Sequence, residues 1–118
     1  MGDANLHVRI KVWVADDEKR VIFGVGRMRL LEAIEKHGSI LQAAEELGMS
    51  YRSAWGRLKA TQERLGQPVV EKVPGAGRRG GSRLTPAGKD LLEKYHELIR
   101  RVTDASETIF GQLFVEEE

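Results

Sequence analysis

Apolar and polar residues alternate at the start of the chain. Leu6, Val8, Ile10, Val12 and Val14 are separated by His7, Arg9, Lys11 and Trp13, the period of two that marks a strand with one buried face. The polar run 15–19 reads as a turn, and Val21-Ile22-Phe23 before Gly24 as the returning strand. Residues 6–23 are therefore predicted to form a β-hairpin, whose sheet would cover part of a helical core or extend to a partner chain. The period then changes. Met28, Leu30, Leu31 and Ile34 make one apolar stripe over 27–36, which predicts a helix stopped at Gly38. Ser39 is placed to cap a second helix that turns Ile40, Ala43, Ala44 and Leu47 inward.

Gly48 supplies the left-handed backbone of a tight turn, and Ser50 can accept a bond from a free N–H in the first turn of a third helix. In that helix Ala54, Leu58 and Leu65 face inward, Tyr51 and Trp55 lie on the shoulder, and Arg52, Ser53, Gly56, Arg57 and Lys59 face out. Gly66 and Pro68 end it. Val69 to Val73 and Ser82 to Leu84 read as two short strands joined by a loop rich in glycine and arginine. Thr85-Pro86 opens a last helix, threonine as cap and proline at the first position, where its missing N–H costs nothing. Leu91, Tyr95, Leu98, Val102, Ala105 and Ile109 recur at steps of four and three along it, an a/d seam broadened by Leu92, Ile99 and Phe110.

Two helices meeting at a glycine turn, then a strand–loop–strand wing, have the layout of a winged helix-turn-helix. That motif puts its second helix in the major groove of DNA. The predicted fold class is mainly α with a small β part (α+β). One domain spans 1–118, divided into the hairpin at 6–23, the helix-turn-helix and wing at 25–85, and a long dimerisation helix at 86–115.

Charge sharpens this picture. The whole chain carries a formal charge of only +1. Between Ser50 and Lys89, however, nine Lys/Arg stand against Glu63 and Glu71, a local +7 that leaves −6 for the rest. A basic block in a near-neutral protein suits a polyanion. Arg52 and Ser53 lie where base edges are reached. Arg57, one turn on, and Lys59 can read a base or hold a phosphate, and Tyr51 can touch either. Trp55 fits a core anchor and a groove contact equally. Arg78, Arg79 and Arg83 supply charge to the wing.

Other chemistry finds little support. The absence of cysteine removes disulfides and thiolate sites. His7, His37 and His96 are scattered without ligand spacing, so neither a metal nor a cofactor is expected. Gly75-Ala-Gly77-Arg-Arg-Gly80 matches a dinucleotide fingerprint letter by letter, but that fingerprint needs a helix opening at its last glycine. Here a strand comes first. No nucleophile set or carboxylate pair is visible, so an enzyme is not expected. No basic start with an apolar run suggests a signal peptide, and no stretch approaches a membrane span of about 20 residues. A cytoplasmic protein is expected.

Specific residues now carry a resemblance. Gly48-Met49-Ser50-Tyr51-Arg52-Ser53-Ala54-Trp55, the Gly80-Gly81 wing, and Leu84-Thr85-Pro86-x-Gly88 resemble the N-terminal winged-helix domain of the molybdate-responsive transcription regulators, the ModE family. That domain is related to the LysR-type DNA-binding domain. The resemblance covers roughly 24–101. It implies a homodimer that binds double-stranded operator DNA, with the last helix in the dimer interface; the apolar seam of that helix points to Tyr95, Leu98, Val102, Ile109, Phe110 and Leu113 as the contacts. Molybdate-sensing members continue into an effector part, whereas this sequence ends at Glu118. Molybdate sensing is therefore not carried over, and a stand-alone DNA-binding module is expected. The competing expectation is a winged helix used for protein contacts, as a scaffolding module paired with an effector-bearing partner.

Overall fold

The computed structural model describes residues 5–75 and 81–115. In chain order the elements are β1 (Val14–Ala15), β2 (Val21–Phe23), α1 (Val25–His37), α2 (Ile40–Glu46), α3 (Tyr51–Leu65), β3 (Val70–Lys72), β4 (Ser82–Leu84) and α4 (Pro86–Phe114). α1, α2 and α3 pack around Leu30, Leu31, Ile34, Ala43, Ala44, Ala54 and Leu58, and the β3–β4 pair and the start of α4 close that core with Val69, Leu84, Leu92 and Tyr95. Ala43 and Ala44 on α2 and Ala54 on α3 are fully buried, which lets the two helices approach closely.

The N-terminal hairpin is shorter than its alternation predicts. Only Val14–Ala15 pairs with Val21–Phe23, antiparallel and with a shift in register between Val14 and Ala15. Residues 5–13 form no strand. The physical reason is the length of the partner: β2 has three residues, after which Gly24 turns the chain into α1. Outside the pairing, α3 and α4 hold the hairpin down. Thr61 donates its hydroxyl to Ile22 O at 2.6 Å, and Arg64 Nη1 donates to Val21 O at 2.6 Å. Tyr95 donates to Val12 O at 2.5 Å and meets Phe23 edge-on at 5.1 Å. Burial pushes the Tyr95 phenol up from its usual value.

β3 and β4 pair antiparallel, Val70 opposite Leu84 and Lys72 opposite Ser82. The Thr85 hydroxyl accepts from Gly88 N at 3.0 Å and donates to Pro68 O at 2.7 Å, fixing the start of α4 to the base of the wing. Gly88 is required there, because a Cβ would collide with the Val69 carbonyl. β4 precedes α4, so the first described element after the glycine-rich segment is a strand and not the helix that the dinucleotide fingerprint requires.

α4 has 29 residues, a length of about 44 Å at 1.5 Å each. Its buried residues are Gly88, Leu92 and Tyr95, all in its first three turns. The remainder projects from the body and gives the molecule a long axis of 65 Å against 30 and 21 Å. Along the projecting part Arg100 and Arg101 both reach Glu97, at 2.6 and 2.8 Å. They hold its carboxyl down at about 2.

Candidate nucleic-acid interface

The site is built on the turn between α2 and α3. Ser39 Oγ accepts from Gln42 N at 3.2 Å and Ser50 Oγ from Ser53 N at 3.0 Å, so both helices carry their predicted caps. Gly48 adopts φ +67°. Its N–H donates to Glu45 O and that of Met49 to Ala44 O, which closes the turn on satisfied backbone groups. α3 then buries Ala54, Leu58 and Thr61 and ends at Gly66 in the left-handed region.

With those three residues inward, the opposite face of α3 is fixed. Tyr51, Arg52, Ser53, Trp55, Gly56, Arg57 and Lys59 are all exposed. The ion pairs among the described residues include none of Arg52, Arg57 and Lys59. Trp55 belongs to the surface and not to the core, at 39% exposure. Arg57 leans toward α1, where its Nη1 would lie 3.5 Å from a Cβ on Gly26. Arg27 lies within reach of both Arg57 and Arg64. Partial burial first, and then the charges of Arg64 and Arg57, lower the pKa of Arg27. The basic character thus extends along the side of α3 to the start of α1, which the sequence pattern had not singled out. Only the arginine content of 27–64 hinted at it.

On the wing, Arg83 faces out from β4 and is tied to Glu71 at 2.9 Å. Its charge is therefore partly neutralised within the chain. Arg78 and Arg79 lie outside the described residues.

The residues assigned to a dimer interface divide into three groups. Leu98, Ile109 and Leu113 are exposed at 38%, 54% and 73%. Val102 and Phe110 are half-buried, Phe110 by stacking on Phe114 at 4.8 Å. Tyr95 is a correction. It is 2% exposed and its hydroxyl is engaged by Val12, so it belongs to the chain's own core and is not free to meet a partner.

A basic, exposed helix on a capped turn, flanked by a two-stranded wing, defines a winged helix-turn-helix DNA-binding domain. The family model of the bacterial regulatory helix-turn-helix proteins of the lysR family matches residues 25–89; the chain belongs to that family. Among curated proteins it is similar to the molybdenum-pterin-binding protein MopA of Rhodobacter capsulatus, 40% identical over 75% of this chain and 33% of the relative. The transcriptional regulator ModE of Haemophilus influenzae is also 40% identical, over 63% of this chain and 29% of its own length. The chain thus spans about a third of the curated relatives it matches, and the resemblance to ModE regulators is borne out. Among solved structures it is similar to the CbnR_DBD-DNA complex, with a TM-score of 0.54, 26% identity, and coverage of 71% of this chain and 94% of that one. Among the described residues, no helix is long and apolar enough to cross a membrane.

Proposed function

We propose that this chain binds double-stranded operator DNA as a homodimer, with α3 in the major groove, and that it acts in transcription regulation. The observation that carries the reading is the continuous exposed face of α3, on which Arg52, Arg57 and Lys59 have no carboxylate partner among the described residues. Cations held ready without counter-ions suit a phosphate backbone, whose contact releases condensed counterions. Arg52, in the first turn, is the side chain assigned to a base edge. Arg57 and Lys59 are assigned to phosphate, and Ser50 and Ser53 flank them at the helix start. Arg78 and Arg79 are assigned to the backbone or minor groove beside the wing, with Arg83 behind them. The projecting half of α4, through Leu98, Val102, Ile109, Phe110 and Leu113, is assigned to a twin helix.

The DNA-complexed structural neighbour and the regulator among the relatives support this reading. Titrating the protein against random-sequence duplex at rising salt tests it. Binding that falls linearly in log K against log salt, by about 0.9 per phosphate neutralised, is expected. A flat response, or no binding at low salt, would overturn the proposal and leave protein contacts as the use of the winged helix.

A further inference from the structure

Two features of α3 are unexplained by the fold of the chain itself. Tyr51 and Trp55 are one helical turn apart and 51% and 39% exposed. Together with Ile40 and Val70 they line an open cleft of about 320 Å³ between the start of α2, the side of α3 and the base of the wing. The carboxylate on its rim, Glu71, is neutralised by Arg83, and Lys72 adds a positive charge. An apolar cleft set in a basic surface fits a partner that is polyanionic outside and presents apolar groups within.

The second feature is Gly56. Glycine weakens a helix interior relative to alanine, yet a Cβ at Gly56 would meet nothing within 4 Å. At Gly88 the missing Cβ makes room for Val69, and at Gly26 it faces Arg57. At Gly56, as at Gly111 in α4, no atom of the described chain needs the space, but only Gly56 stands on the exposed basic face of α3. Gly56 adjoins Trp55 on the exposed face.

We propose that α3 reads thymine by its methyl group, with Tyr51 and Trp55 as the contact and Gly56 as the clearance that lets the duplex approach. In the major groove the thymine C5-methyl is the apolar mark that distinguishes one base from the others. An indole, which offers a single N–H donor, is better suited to covering a methyl than to a hydrogen-bond code. The inference rests on the DNA-binding reading of the same face.

The test uses a duplex that the full chain has selected from a random pool. Its thymines are replaced one at a time by deoxyuridine, which pairs identically but lacks the methyl. For the wild type, about fourfold weaker binding is expected at one thymine in each half-site, the effect of burying one methyl. Trp55→Ala is expected to bind the thymine and uracil duplexes alike. Trp55→Gln replaces it if circular dichroism shows the alanine variant unfolded. Gly56→Ala is expected to melt at a higher temperature than the wild type and yet to bind every duplex more weakly. A wild type indifferent to every uracil, or a methyl effect that survives in a Tyr51→Ala/Trp55→Ala variant, would overturn the methyl contact. Gly56→Ala binding as tightly as the wild type would overturn the clearance. Absence of any salt-sensitive duplex binding by the wild type would instead remove the DNA reading beneath both.

Discussion

Single residues on α3 divide between a buried face and an exposed one. Ala54 and Leu58 are buried, while Arg52 and Trp55 are exposed, and the 3.6-residue period separates the two sets. Sequence showed this division because the caps Ser39 and Ser50 and the turn residue Gly48 fix where the helices begin, and hence the phase of the stripe. It did not show Thr61, whose burial depends on one distant acceptor, the carbonyl of Ile22. Nor could it decide Trp55. An indole fits a core or a surface by composition, and only the placement of Ile40 and Val70 leaves it at an open cleft. At this scale Arg52→Ala is the informative substitution. An arginine bonded to both acceptors of a guanine contributes about 1–3 kcal/mol of discrimination. The variant should lose affinity for a selected site, with the preference relaxed at one position per half-site, and keep its affinity for random duplex. Parallel titrations on the two duplexes check this, and equal losses on both would reassign Arg52 to a phosphate.

Among the elements, the strands of the wing follow their sequence pattern and the N-terminal hairpin departs from it. Alternation over residues 6–14 predicts a long strand, but a strand also needs a partner of equal length, and β2 ends at Phe23. Periodicity reports which face is apolar and says nothing about what lies alongside. The chain compensates through side chains, with Tyr95, Thr61 and Arg64 taking backbone carbonyls of the hairpin. At the wing, strand pairing was legible from Val69–Val73 and Ser82–Leu84, and the helix start from Thr85-Pro86. Arg83 is partly committed to Glu71, which leaves Arg78 and Arg79 as the wing residues assigned to DNA. An Arg78→Ala/Arg79→Ala variant should bind all duplexes more weakly. Its log–log salt slope should be shallower by about 0.9 for each phosphate that is no longer neutralised. Fluorescence anisotropy at a series of salt concentrations measures the slope. An unchanged slope would take the wing out of the interface.

Across the whole molecule, the projecting half of α4 is the feature that a monomer leaves unexplained. Leu98, Ile109, Leu113, Phe114 and Val115 are exposed along it, beyond the last residue that the helical body buries, Tyr95. The a/d repeat was readable in the sequence. Where the body stops covering it was not, because that depends on how far α1 and the hairpin reach. Tyr95 shows the limit, a seam residue absorbed by Phe23 and Val12. Covering each of the larger side chains on a twin helix contributes about 1.5–3 kcal/mol when burial is complete. The wild type should therefore sediment as a dimer at micromolar concentration, and an Ile109→Asp/Phe110→Asp variant as a folded monomer. A monomeric wild type would refute pairing through α4.

Selection of bound sequences from a random duplex pool brings the three scales together, since it reports on the base contacts of α3, the reach of the wing and the two-fold arrangement at once. A dimer with a recognition helix on each side should enrich a pseudo-palindrome whose half-sites are a whole number of helical turns apart, about 34 Å for each turn. A pool that stays random after repeated rounds, or that yields only a single unrepeated half-site, would contradict the account.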